Sequence, residues 1–456
     1  MRKIPTSIDL IGNTPLIEVK SFDVGSSRLF LKLENQNPGG SIKDRIGLSM
    51  IEHAEQRGMI KPGDTLVEAT AGNTGLGLAL AAITKGYKLI LVIPDKMSTE
   101  KVNHLRALGV EIILTRSDVE KGHPEYYQDL AERISYETPN SYFVNQFNNI
   151  ANPLAHELTT GPEIWEQMEH DVDVIVVGVG SAGTLKGLTN FFRRVKPELE
   201  IVLADPQGSI LVDYIQGKPL SQPGSWLVEG IGEDFVPPQF DRTLISKAYS
   251  VSDEESFEAA RSLLRNEGIL GGSSSGTLIS AAVKYAQEQT EPKNIVTFVC
   301  DSGNKYLTKM FNDYWMIDRG LIRKELKGGI EDLVTRKHSE RGVITVKPDD
   351  SLLNAHAKMS LYEISQIPVV VAGQVVGIID EWDILTATDG RNEQVLKDEV
   401  SLYMSTNIAS VSIGDDLSNV IRILKEGLLV IVTKEEQFFG VITKTDYIHY
   451  LRRKLS

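Results

Sequence analysis

The strongest constraint on this chain is an alternation of texture. Short, nearly all-apolar, β-branched runs at 65–68, 89–93, 111–114, 174–178, 201–204 and 295–299 are separated by longer helical patterns. Runs with no polar face belong to a parallel sheet covered on both sides. Helical patterns follow several of them, among them 74–85 and 184–195. The expected architecture is α/β, in which ligands gather at the carboxyl ends of the strands.

The alternation stops near residue 319, and 323–337 is charged, with Gly328 and Gly329 inside it. Beyond it a second pattern repeats. A helix at 351–360, strands at 367–371 and 375–379 around Ala372-Gly373, and a helix from 381 are followed by a helix at 417–426, strands at 428–433 and 438–443, and a helix from 444. Repeats of ~60 residues are too short to bury a sheet well alone, so the halves are expected to pack together. The expected division is a first domain at 1–320, a linker at 321–335, and repeats at 336–390 and 391–456, in keeping with ~150 residues per domain.

Composition narrows the function classes. Lys and Arg number 48 against 62 for Asp and Glu, a formal net charge of −14, which disfavours nucleic acid and anionic membrane as partners and favours small molecules or other proteins. The sole cysteine, Cys300, excludes an intrachain disulfide framework and thiolate-rich zinc sites and fits a reducing cytoplasm. Pro5, Asp9, Gly12 and Pro15 interrupt the N-terminus, so no signal-peptide core is expected. No apolar run approaches the ~20 residues of a membrane span. The histidines, including His53, His104 and His156, lack the paired spacing of a metal site, and no metal is expected.

Four loops carry the candidate chemistry. Gly39-Gly40-Ser41-Ile42-Lys43-Asp44-Arg45 leads into a helix with a lysine near its first turn. That lysine is either a solvated cation or an amine whose pKa is lowered by the helix dipole and desolvation, as imine formation with an aldehyde needs. Ala69-Thr70-Ala71-Gly72-Asn73-Thr74-Gly75 exposes backbone N–H groups at a helix start, either a seat for a carboxylate or an ordinary strand-to-helix turn. Gly178-Val179-Gly180-Ser181-Ala182-Gly183-Thr184 suits a phosphate, with a dinucleotide as the competing interpretation and Asp205 as the one acid placed for a ribose. Asp301-Ser302-Gly303 adds a hydroxyl after the last strand. An amine, a carboxylate nest, a phosphate nest and a hydroxyl match an amino acid held as an imine on pyridoxal phosphate.

The ordered motifs GGSIKDR, EATAGNTGLG, GVGSAGT, VEGIG and CDSGNKY closely resemble the fold-type-II pyridoxal-phosphate enzymes, which share the fold of the tryptophan synthase β chain. Asn152-Pro-Leu-Ala-His156 and Lys61-Pro-Gly-Asp64 are similar to the cystathionine β-synthase branch in particular. The duplicated tail resembles a pair of CBS modules, with Gly377-Ile-Ile-Asp380-Glu-Trp-Asp383 and Gly440-Val-Ile-Thr443-Lys-Thr-Asp446 as their strand-plus-acid endings. The resemblance implies that Lys43 carries the cofactor and later moves the Cα proton. It also implies that Asn73 contacts the ring hydroxyl, that Gly180, Ser181, Ala182, Gly183 and Thr184 bind the phosphate, and that Ser302 accompanies the pyridine nitrogen. Thr70, Ala71, Gly72 and Thr74, with Gln146, Glu229 and Gly230, would hold the substrate.

The implied reaction is condensation of L-serine, or an activated serine, with L-homocysteine to give L-cystathionine. Rival readings are cysteine synthesis from O-acetylserine and sulfide, β-replacement by another nucleophile, and a non-enzymatic sensor of an adenosyl ligand. Such a ligand would sit at the tail pair, where Asp383 and Asp446 are either ribose contacts or helix N-caps. A homodimer or higher homo-oligomer is implied, and no haem is expected, because the Cys and His ligands that relatives carry on an N-terminal extension have no counterpart here. Three departures stand out: Ala71 replaces a usual serine, Ser181-Ala182 alters the phosphate loop, and Glu233 and Phe147 stand where tyrosines are common. Glu233 is either a solvated charge or a selector for an amine-bearing nucleophile.

Overall fold

The computed structural model describes the chain except residues 1–4, 71, 96–98, 120–121, 221, 323–327, 391 and 456. Ala71 therefore lies outside the described residues. Two compact units emerge, 1–311 and 312–456. The boundary falls before the expected 320, and the expected linker is no bare spacer: Ile330, Leu333 and Val334 are fully buried in a core of the second unit.

The first unit holds two sheets rather than the one expected. Its strands are β1 (Leu16–Val19), β2 (Arg28–Lys32), β3 (Thr65–Ala69), β4 (Lys88–Pro94), β5 (Glu111–Thr115), β6 (Ser141–Phe143), β7 (Val174–Val177), β8 (Glu200–Pro206), β9 (Lys247–Val251) and β10 (Asn294–Phe298). The smaller sheet runs β5-β4-β3-β6 and the larger β1-β2-β10-β7-β8-β9. All described pairings are parallel except β1 with β2, which share the register Leu16 with Lys32. Strands such as β3 and β7 are buried at every position, as continuous apolar runs in a covered parallel sheet must be.

Helices form where local signals and packing agree. Ser252 opens the helix Asp253–Glu267 by exchanging hydrogen bonds with Glu255 three residues on, and Gly268 closes it at φ +70°. The helix Asn73–Lys85 is rich in Gly and Ala and lies against the helix Lys43–Gln56, both contributing to the core around the smaller sheet.

Where that second helix begins, a buried charge network anchors it. Arg45 donates to Glu34 at 2.8 Å and to Glu163 at 2.7 Å, and Lys32 donates to the same Glu163 at 2.7 Å. Burial alone would raise the carboxyl pKa of Glu163, but the two cations hold it down at about 2.

In the second unit β11 (Gln366–Val371) pairs antiparallel with β12 (Gln374–Asp380), and β13 (Ser410–Ser412), β14 (Val430–Lys434) and β15 (Gln437–Ile442) form a three-stranded sheet. The halves do pack together. Leu429, Ile431 and Phe438 share a cluster with Val370, Val375 and Ile378, and the Phe438 N–H donates to Gly373 O at 3.0 Å. Among the described residues no helix is long and apolar enough to cross a membrane.

Candidate active site

Three of the four loops follow carboxyl ends of parallel strands: Thr70–Thr74 after β3, Gly178–Thr184 after β7 and Cys300–Ser302 after β10. The fourth, carrying Lys43, enters its helix after β2 and is tied to the third by Ile42 N–H donating to Cys300 O at 2.9 Å. Lys43 forms no ion pair among the described residues. Burial pushes its pKa down, against weaker upward pulls from Cys300 and Glu233. Lowering the pKa of an amine favours its unprotonated form, the state that attacks an aldehyde. Neighbouring Asp44 accepts the Gly39 N–H at 2.5 Å, and burial raises its carboxyl to about 6.

The loop after β3 is built as a nest. The Thr70 hydroxyl accepts the Gly72 N–H at 3.2 Å, and the Thr74 hydroxyl donates to Gln146 Oε1 at 2.8 Å, which joins two residues far apart in sequence. Asn73 donates through Nδ2 to Asp301 Oδ2 at 2.8 Å and accepts from Lys305 Nζ at 2.7 Å. Its second amide hydrogen remains for a further acceptor.

The loop after β7 enters the helix Gly183–Val195 through Ala182, a non-glycine residue at φ +66°. Ser181 Oγ accepts from Asn152 Nδ2 at 2.9 Å, and Thr184 Oγ1 lies 3.2 Å from His156 Nε2. A Cβ on Gly183 would overlap Asn152 Oδ1, and one on Gly180 would come to 3.0 Å from Gly230 O, so side chains are excluded where an anion would lie against the helix N-terminus. His156 and Thr160 bound a single π-helical turn, and their side chains bond at 3.0 Å.

Glu229 and Gly230 sit beside this loop. Glu229 pairs with Lys101 and, at 2.7 Å, with Lys309; the two ammonium groups outweigh burial and keep its carboxyl below the ordinary range. Ser302 opens the turn that follows β10. Its Oγ accepts the Asn304 N–H at 3.3 Å, capping the turn Gly303–Tyr306, and its N–H donates to Gly40 O at 3.0 Å.

The buried hydroxyls belong instead to Ser273, Ser274 and Ser275, the first turn of the helix Ser273–Gln287, which the sequence reading passed over. Ser273 Oγ accepts the Glu229 N–H at 3.0 Å, Ser274 hydrogen-bonds the Cys300 thiol, and Ser275 Oγ accepts the Cys300 N–H at 3.0 Å. The signal was present: Gly271-Gly272 before three serines has the same glycine-to-helix texture as the other loops.

In the second unit, Asp383 and Asp446 both lie in helix-opening turns. Asp383 exchanges backbone hydrogen bonds with Asp380, while Asp446 accepts from the Thr443 N–H and hydroxyl and from Thr335 Oγ1 at 2.9 Å. Neither acid is itself the N-cap: Asp383 is the third helical residue after the cap Asp380, and Asp446 exchanges the same bonds with Thr443.

Pyridoxal phosphate needs an amine for its aldehyde, donors for its phosphate and a surface for its ring. The unpaired Lys43, the side-chain-free cradle at Gly180–Thr184 and the spare Asn73 donor fit that group. The family described as pyridoxal-phosphate dependent enzyme matches residues 8–301, and the CBS domain matches 330–390 and 397–453. Fold and site thus define a pyridoxal-phosphate-dependent enzyme of fold type II, followed by a CBS pair.

Cystathionine β-synthase of Oryctolagus cuniculus is 35% identical over 98% of this chain and 85% of its own length, and that of Saccharomyces cerevisiae 34% identical over 97% of each. The solved O-acetylserine-dependent cystathionine β-synthase of Helicobacter pylori superimposes at a TM-score of 0.63 with 37% identity, covering 68% of this chain and 99% of that one. A hydrogen sulfide-producing enzyme of Fusobacterium nucleatum gives 0.62 and 36%, covering 67% and 100%. The chain belongs to the cystathionine β-synthase family.

Proposed function

We propose that the chain condenses L-serine, or an activated serine, with L-homocysteine to give L-cystathionine, acting in the cytoplasm as a homodimer, with the second unit taking an adenosyl ligand. The observation that carries the reaction is the half-buried Lys43 amine, free of any described counter-ion, tied through its loop to the strand end that brings Asp301 to Asn73. The relatives similar over nearly the whole chain support the choice of substrates.

Pyridoxal phosphate, when bound, supplies the electron sink that makes the substrate's Cα proton removable. Lys43 Nζ would hold the cofactor's aldehyde and would be the group placed to take and return the proton at Cα, a role suited to its lowered proton affinity. Gly180, Ser181, Ala182, Gly183 and Thr184 hold the phosphate, with the helix behind them aiding. Thr70, Gly72 and Thr74, steadied by Gln146, hold the substrate carboxylate, and Asn73 serves the ring oxygen. Ala71 belongs to the same loop, and its missing hydroxyl leaves the carboxylate dependent on Thr70, Thr74 and backbone N–H groups. Ser273, whose side chain is buried, is assigned to the pyridine nitrogen in preference to the half-buried Ser302. A neutral hydroxyl there leaves the nitrogen unprotonated and favours elimination at Cβ.

The test is an assay of the purified protein with serine plus homocysteine beside O-acetylserine plus sulfide. Cystathionine is the expected product of the first pair; no cystathionine with turnover of the second pair overturns the proposal.

A further inference from the structure

The segment that follows Glu229-Gly230 returns across the site and brings Glu233 to face the phosphate loop. Its backbone is pinned. Gly232 N–H donates to Val179 O at 2.8 Å, Glu233 N–H donates to Ser209 Oγ at 3.1 Å, and Glu233 O accepts from Ile210 N–H and from the Ser209 hydroxyl, both at 3.1 Å. The carboxylate stands 3.7 Å from the point where a Cβ on Gly180 would lie, and its charge acts on Lys43, Tyr126 and Tyr127. Glu233 is thus half-buried with its carboxylate toward the phosphate loop. Two residues on, Phe235 packs against Phe147 with ring centroids 5.7 Å apart, and Gln239 Nε2 donates to Phe147 O at 3.0 Å.

We infer that Glu233 selects the second substrate, its carboxylate taking the α-ammonium group of a thiol-bearing amino acid and repelling bare hydrosulfide. The inference rests on the β-replacement reading above. The amino group of the first substrate would be committed to the cofactor and its carboxylate to the Thr70–Thr74 loop. The second substrate alone brings a free ammonium group to the site. A carboxylate on a pinned backbone, already partly out of water, holds such a cation more firmly than a solvated one could. The same charge raises the cost of admitting an anion. The apolar rings of Phe147 and Phe235 suit the methylene chain that separates thiol from ammonium.

The experiment uses the full chain loaded with pyridoxal phosphate, saturating serine, and three nucleophiles: L-homocysteine, 4-mercaptobutyrate, which keeps the thiol, chain and carboxylate but lacks the ammonium, and hydrosulfide. The readout is the ratio of kcat/KM values within each variant, so that a general loss of active enzyme cancels. Glu233→Gln is expected to lower the preference for homocysteine over 4-mercaptobutyrate by about tenfold or more and to raise relative use of hydrosulfide, with Glu233→Asp retaining part of the preference. Ratios in Glu233→Gln within about twofold of the unaltered chain overturn the assignment of Glu233 alone. An unaltered chain that prefers hydrosulfide to homocysteine overturns both the assignment and the reaction on which it rests.

Discussion

His156 Nε2 lies 3.2 Å from the hydroxyl of Thr184, the last residue of the phosphate loop, while its Nδ1 lies 3.0 Å from the hydroxyl of Thr160. Burial, reinforced by the charges of Lys43 and Arg45, depresses the imidazole pKa well below its usual value, so the ring is neutral with one donor and one acceptor nitrogen. In the tautomer protonated at Nε2, that nitrogen donates to Thr184 Oγ1 and leaves the threonine hydrogen free to point at an anion. His156→Ala is therefore expected to weaken binding of pyridoxal phosphate by about tenfold while leaving binding of the unphosphorylated aldehyde nearly unchanged. Absorbance titrations of the apo-protein with each compound check this; equal weakening of both would assign the histidine a packing role only.

Gly183 has no room for a side chain, since a Cβ there would overlap Asn152 Oδ1, and Asn152 in turn donates to Ser181 Oγ. Gly183→Ala must push Asn152 aside and disturb the cradle. The expected result is at least about tenfold weaker cofactor binding with an unchanged far-UV circular dichroism spectrum, the two being read on the same sample.

Arg45 joins Glu34 and Glu163, and its side chain and that of Glu34 are almost wholly buried. Removing the guanidinium in Arg45→Met strands the Glu34 carboxylate in the interior and leaves Glu163 with Lys32 alone. A loss of about 3–5 kcal/mol is expected from denaturant unfolding followed by a probe in the first unit. A loss below about 1 kcal/mol would mean that water reaches the network.

Two carboxyl groups give opposite dependences of stability on pH. Burial raises Glu68, in the middle of β3, to about 8 against backbone hydrogen bonds that pull it down, so it stays protonated in the fold where the unfolded chain is ionised. Its contribution is present below the ordinary glutamate range and fades as pH rises through about 8. Glu163, held at about 2, contributes above the ordinary range and loses that contribution as pH falls toward 2. Glu68→Gln should flatten the decline of the midpoint temperature between pH 5 and 8, and Glu163→Gln the decline on the acid side. Unaltered slopes in scanning calorimetry would contradict both.

Asp446 accepts three hydrogen bonds at the start of the helix Lys444–Leu455. Asp446→Ala is expected to cost the second unit about 1 kcal/mol, visible as a lowered melting transition. Calorimetric titration of the same variant with an adenosyl ligand tests the ribose role, which requires weaker binding than in the unaltered chain.

Strand and helix positions were legible because a covered parallel strand must be continuously apolar, and β3, β4, β5, β7, β8 and β10 lie within two residues of their expected bounds. The separation into two sheets was not. Which strands are neighbours depends on contacts between distant segments such as β2 with β10, and no local pattern encodes that pairing. Within the candidate site, the glycine loops were legible because close backbone approach at positions such as Gly183 leaves no room for a side chain. The serines at 273–275 look like any helix start, and only the fold reveals that Ser273 meets the Glu229 backbone. Ser302 follows a strand end more conspicuously, and its hydroxyl also accepts a backbone N–H, that of Asn304.

The helices that carry Lys43 and the substrate loop touch backbone to backbone. A Cβ on Gly77 would stand 2.5 Å from the Lys43 carbonyl oxygen, and one on Gly47 would strike the Gly77 carbonyl carbon. With no side chain between them to lengthen or shorten, this joint offers evolution no dial for adjusting the reach between amine and loop. Diversification toward new nucleophiles has to come from the opposite wall, where a residue such as Glu233 can be exchanged without disturbing the hinge on which the lysine sits.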